Sequence, residues 1–275
     1  MNIIKFLDQF SNIDLKNASA SRREMFSQLG SYGKKAAFAA IPFGLGVTKS
    51  NAATMAFFGH VGPLNLALTL EYLESDFYNR ALLSNVVPSG RPLDVYEQIA
   101  KHENAHVALL ESVLGSDAVD KPIFDFTLGG AFDPFNATNP QAYAQLLTLA
   151  QAFEDTGVRA YKGQAGNLAG TPYLAPALRI HSVEARHAAE VRRLRSAYYN
   201  MELNDNGLGW ITLNKQLNVR PMVPAAVYAG EELTVQAGVN LTSLGNGYSA
   251  ESASQSFDEP ITGEEAVAIA TPFFA

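Results

Sequence analysis

The sequence predicts an all-α protein: a four-helix bundle with a long crossover between helices 2 and 3, then a mostly irregular C-terminal extension ending in a short helix. Three observations carry that expectation. Apolar residues recur at helical spacing through four segments of about 22–34 residues. Pro, Gly or Asn marks where each segment starts or stops. The connection between the second and third segments is about 24 residues, far longer than the other two.

Gly62-Pro63 opens the first helix, which runs to about Leu83, because proline at a first helical position gives up only an N–H without an intrahelical partner. The second runs from about Leu93 to Leu114 and stops at Gly115. Asn139-Pro140 starts the third, which continues to about Asn167, and Thr171-Pro172 starts the fourth, which ends near Asn204. Short first and third connections suit antiparallel neighbours. The stretch from Gly115 to Asn139 is rich in Gly, Pro and Phe and is long enough to travel the length of the bundle. Beyond residue 205, Trp210-Ile211-Thr212-Leu213 and Leu233-Thr234-Val235 are candidates for a short strand pair. Thr262 and Glu265 have the spacing of a capping box ahead of a terminal helix. Phe257, Ile269, Phe273 and Phe274 predict that this tail packs on the bundle.

With 47% apolar and 17% charged residues, the chain is neither disordered nor fibrous. Its formal charge is −7, without a basic run, so no nucleic-acid partner is expected. There is no cysteine, which excludes disulfides, thiolate nucleophiles, Cys-ligated zinc and iron–sulfur clusters. Any metal must be held by oxygen and imidazole.

Residues 1–52 stand apart. They carry seven basic and three acidic side chains, and the apolar run Ala36–Val47 leads to the small residues Ser50-Asn51-Ala52. That is the organisation of a secretory signal, and the run is too short for a stable membrane anchor. Ser21-Arg22-Arg23-Glu24-Met25-Phe26 resembles the twin-arginine export leader, although Met25 stands where that motif usually has Phe. The competing reading is an amphipathic helix and a buried apolar helix of the folded protein. The expected organisation is an export leader at 1–52, the bundle at 53–204 and the extension at 205–275, with the mature protein periplasmic or extracellular.

One acidic residue falls in the apolar stripe of each helix: Glu71 with Leu64, Leu68 and Tyr78, Glu103 with Ile99 and His106, Glu154 with Leu147, Val158 and Tyr161, and Glu184 with Ile180 and His187. Offsets of three, four and seven share one side of a helix. Four carboxylates aimed at one core repel strongly unless something positive holds them. Two divalent cations would neutralise them, and the histidines would add nitrogen donors suited to iron or manganese. Glu103/His106 and Glu184/His187 both form Glu-x-x-His, where composition alone yields about 0.3 such pairs. Glu71/Tyr78 and Glu154/Tyr161 are both seven apart, so a two-helix unit is used twice about a pseudo-twofold axis. Glu74 competes with Glu71, and the Tyr spacing favours Glu71. His102, adjacent to Glu103, should point elsewhere. His181 and His60 are expected to make ordinary polar or capping contacts. The opposing possibility is a degenerate bundle whose carboxylates pair with Arg80, Arg159, Arg186 or Arg192.

Across residues 60–204 this pattern resembles the ferritin-like di-metal carboxylate superfamily, in which two helices each give a Glu and two give Glu-x-x-His. Leu70-Glu71-Tyr72-Leu73-Glu74, Phe77-Tyr78, His102-Glu103 with His106, Val183–Ala188 and the tail Ser256–Pro260 are similar to secreted bacterial ferritin-like proteins related to plant desiccation-associated proteins. The resemblance implies Glu71 and Glu154 as single carboxylate ligands, Glu103 and Glu184 as bridges, and His106 and His187 as caps. Tyr78 and Tyr161 would be hydrogen-bond partners of ligand carboxylates or redox-active neighbours. The expected function is a di-iron or di-manganese oxidoreductase acting on oxygen, peroxide or a small-molecule substrate, with a homo-oligomer compatible. The alternatives are a non-catalytic stress-protection or interaction module with a structural or absent metal, and metal storage.

Overall fold

A stripe of apolar side chains repeating every three to four residues can be buried only if the segment coils and sets that stripe against a neighbour. The computed structural model describes residues 62–201, 209–214, 222–245 and 248–275. The leader reading at 1–52 and His60 lie outside them. Four long helices form: α1 (Gly62–Leu83), α2 (Arg91–Leu114), α3 (Ala142–Gln164) and α4 (Leu174–Tyr198). α1 pairs with α2 and α3 with α4, around a common core that includes Leu68, Phe77, Leu146, Leu147 and Val191.

The ends show where local chemistry overrode the expected boundaries. α2 starts at Arg91-Pro92 after Gly90, and α3 begins at Ala142 because the Asn139 side chain accepts the Gln141 N–H at 3.0 Å and holds a turn there. α3 stops at Gln164, short of Asn167, where tight turns replace helical bonding. α4 stops at Tyr198, not near Asn204. Asn200 adopts a left-handed φ of 52°, while Met201 N–H bonds Ser196 O at 2.9 Å and Asn200 N–H bonds Ala197 O at 3.2 Å. This is a Schellman stop with Asn in the left-handed position.

The crossover from Ala118 to Gln141 is held by aromatic side chains. Phe126 is buried against Phe77 of α1, and Phe153 of α3 lies 5.1 Å from Phe77 and 4.9 Å from Phe273, ring centre to ring centre. The C-terminus pairs antiparallel with the crossover through Phe124 and Phe274, with Asp125 N–H donating to Phe273 O at 2.8 Å. Phe273 is therefore core, whereas Phe257 is 38% exposed and does not anchor the tail as expected.

The expected strand pair forms beside its second candidate only, starting at Val235. β1 (Val235–Gln236) pairs with β2 (Val239–Asn240) across Ala237-Gly238, both at positive φ, and Trp210–Leu213 is not a strand. A two-residue turn with both φ positive matches strand twist, so the hairpin forms where that turn is available. α5 (Ala250–Ser254) follows, and then α6 (Gly263–Ala270), opened by the full Thr262–Glu265 capping box.

The tail is locked to α3 by a buried arginine. Arg159 donates to the carbonyls of Val227, Ala229 and Glu259 and pairs with Glu231 at 2.8 Å. Its own carbonyl accepts the Ile261 N–H. One turn further along, a Cβ on Gly163 would stand 1.8 Å from Ile261 O, so only glycine lets the tail backbone pass. Gly163→Ala is expected to destabilise the protein by about 1–3 kcal/mol, as overpacking does, read as a lower midpoint in denaturant unfolding.

Burial raises the Glu231 carboxyl from 4.5 to about 7, outweighing the Arg159 guanidinium and the Glu259 amide, which favour its charged form. The folded state holds this proton more tightly than the unfolded chain, so this contribution to stability is lost as pH rises from about 4.5 to about 7. Glu231→Gln is expected to flatten that part of the melting-temperature profile, and an unchanged slope would refute the assignment.

Candidate metal centre

Helical spacing delivers the donors from all four helices to one level of the bundle. Glu71, Glu103, Glu154 and Glu184 are each 0% exposed, and His187 is buried beside them. Glu71, Glu103, His106 and Glu184 form one group of donors, and Glu103, Glu154, Glu184 and His187 form another, with the donor atoms of each group within 4.8 Å of one another. His106 Nδ1 lies 3.1 Å from Glu71 Oε2 and 3.0 Å from Glu103 Oε2. His187 Nδ1 lies 2.8 Å from Glu103 Oε1 and 3.3 Å from Glu154 Oε2.

These spacings fit donors around a cation better than a self-contained hydrogen-bond network. Glu103 Oε1, Glu154 Oε2, both Glu184 oxygens and His187 Nδ1 are buried without hydrogen-bond partners, although the Nδ1–Oε1 distance is short. Ligands about 2.1 Å from one cation and at right angles to each other lie about 3 Å apart. Buried polar atoms left unpaired are otherwise costly. The Glu and His donor set therefore suits a divalent cation.

The tyrosines cross between halves. Tyr78 of α1 donates to Glu154 Oε1 of α3 at 2.5 Å, and Tyr161 of α3 donates to Glu71 Oε1 of α1 at 2.5 Å. Each holds one oxygen of a carboxylate whose other oxygen faces a histidine. Burial foremost, then the facing carboxylates, pushes both phenols well above the ordinary tyrosine range and keeps them protonated donors. Burial and mutual repulsion likewise raise Glu103 and Glu184 well above the usual carboxylate range. That is the physical cost a bound cation would relieve.

The arginines do not serve that purpose. Among the described residues, Arg159 pairs with Glu231, Arg192 with Asp155 and Arg80 with Asp76, and neither these nor Arg186 forms an ion pair with the four carboxylates. His181 makes an ordinary contact to Val158 O at 3.0 Å. His102 corrects the sequence reading. Its Nδ1 lies 2.8 Å from His187 Nε2, with the rings nearly coplanar, and Gln98 lies 2.7 Å from its other nitrogen. The signal was present, since His102 and His106 are four apart and share a helix face. Burial, then His187, His106 and Arg186, lowers the affinity of His102 for a proton. Gln98 Nε2 donates to His102 Nε2, and the contact between His102 Nδ1 and His187 Nε2 orients the His187 ring with its Nδ1 toward the carboxylates.

Four long helices around a buried set of glutamates and histidines define a bundle with a possible metal-binding core. The ferritin-like domain family model matches residues 59–197, just over half of the chain, and the chain belongs to the ferritin-like family. No curated protein and no solved structure matches it.

Tyr78→Phe and Tyr161→Phe are each expected to weaken metal uptake about 10–100-fold, the usual effect of removing a partner that orients a ligand. Titration with Mn(II) measures this, and the pseudo-symmetry predicts similar losses from the two variants.

Proposed function

We propose that the chain holds two divalent cations, iron or manganese, bridged by Glu103 and Glu184, and acts as an oxidoreductase on oxygen or peroxide. The observation supporting this reading is that Glu103 and Glu184 belong to both donor groups, the arrangement by which neighbouring cations share carboxylates. Glu71 and His106 would complete one position, and Glu154 and His187 the other. When bound, such metals supply the electrons that O–O chemistry exchanges, and oxygen donors suit iron and manganese alike.

The chain's own side chains do the positioning. Tyr78 and Tyr161 fix the two single carboxylates, and His102 fixes the ring of His187. A cleft of about 460 Å³ between α2 and α4, walled by Arg91, Gln98, His102, Arg186 and Glu190, reaches His187 and suits a small polar molecule such as peroxide. On another side, an apolar space bordered by Leu70, Leu110, Tyr161 and Ile180 suits a small apolar molecule such as oxygen. The paired arginines and apolar run of residues 1–52 support export to the periplasm or beyond.

Elemental analysis of protein purified from its native compartment, beside the Glu103→Ala/Glu184→Ala variant, tests the reading. About two iron or manganese ions per chain, lost in the variant, are expected, followed by peroxide consumption or oxygen uptake by the loaded protein. A metal-free wild type with unchanged folding in the variant would leave a non-catalytic bundle. Metal without turnover, coupled to a large loss of melting temperature on chelation, would make it a structural staple.

A further inference from the structure

The first helices of the two halves, α1 and α3, repeat at an offset of 83 residues: Glu71 corresponds to Glu154 and Tyr78 to Tyr161. Because each Tyr bonds the other helix's Glu, α1 and α3 run antiparallel with these residues face to face. Glu74 and Gly157 are also 83 apart and lie between those contacts, so they meet close to the pseudo-twofold axis. Two equivalent positions converge there on one space. The sequence gives it to a single side chain, and this is where the repeat breaks.

A Cβ on Gly157 would stand 3.2 Å from Glu74 Oε1 and 3.0 Å from Glu184 Oε2. Both carboxylates are buried, Glu74 at 2% and Glu184 at 0% exposure. Glu184 Oε2, aimed at that space, has no hydrogen-bond partner. Two buried carboxylates turned toward one glycine-sized gap are unfavourable neighbours unless a positive charge lies between or beside them.

We propose that Glu74 is a seventh donor of the metal centre, reaching a divalent cation beside Glu184 through the space that Gly157 leaves open. The inference rests on the metal-binding reading above and adds an asymmetry to it. One helix of the α1/α3 pair supplies an extra carboxylate, and the other supplies only room for it. Five carboxylates carry one more negative charge than two divalent cations neutralise, so Glu74 biases the centre toward more highly charged ions. A hard cation such as Mn(II) is the appropriate probe.

The test is calorimetric titration of Mn(II) into the metal-free full chain, comparing wild type with Glu74→Gln, which keeps the shape but removes the charge. Glu74→Asp keeps the charge but withdraws the oxygen. Circular dichroism melting confirms folding before titration. A loss of affinity of about 10-fold or more in Glu74→Gln, with a smaller loss in Glu74→Asp, is expected. Wild-type affinity in either folded variant overturns the assignment of Glu74 while leaving the six-residue centre standing. A wild type that takes up no Mn(II) overturns both together.

Discussion

The structure is organised around the burial of carboxylates that no arginine or lysine among the described residues pairs with. Glu71, Glu103, Glu154 and Glu184 are sealed in the bundle at 0% exposure, with Glu74 beside them. A core of this kind opposes folding through desolvation and repulsion, so the helices must be held together by other contacts. The fully buried Leu68, Phe77, Leu146, Leu147 and Val191, with the aromatic contacts of the crossover, provide that resistance. Removal of the bundle's arginines to other pairs keeps the centre's charge available for a cation.

Those arginines explain the tail. α3 is buried on nearly every side from Ala142 to Tyr161, which a helix facing solvent on one side would not be. Its outer face carries Asp155 and Arg159, polar groups that need partners once covered. Arg192 and Tyr228 satisfy Asp155, while Glu231 and three tail carbonyls satisfy Arg159. Ile211, Val223, Val227 and Tyr228 form a second apolar cluster with Ala152 of α3. The extension thus seals the back of the helix whose front presents Glu154 to the centre.

The twofold pattern governs the centre and also limits it. Crossed Tyr–Glu bonds make the two halves chemically alike. An axis through a packed interface cannot hold two equal side chains at one point, because interiors are filled at crystal-like density. Glu74 opposite Gly157 is the solution here. His102 adds a second asymmetry, giving His187 a histidine partner beside the α2–α4 cleft.

The four helices and the convergence of Glu71, Glu103, His106, Glu154, Glu184 and His187 were legible in the sequence alone, because helical periodicity converts spacing into a shared face. The family was legible for the same reason: the repeated Glu-x-x-His fixes a pattern of donors, not merely a composition. The stop at Asn200 and the hairpin at Ala237-Gly238 were set by local left-handed backbone turns that apolar spacing does not reveal, whereas the exposed Phe257 and the His102–His187 contact were decided by the tertiary structure. So were the crossed partners of the tyrosines and the meeting of Glu74 with Gly157. Spacing within one helix says which residues share a face, but not how far a neighbouring helix is shifted or turned. That relative placement is set by packing between elements distant in sequence, and it determines which buried polar atoms find partners.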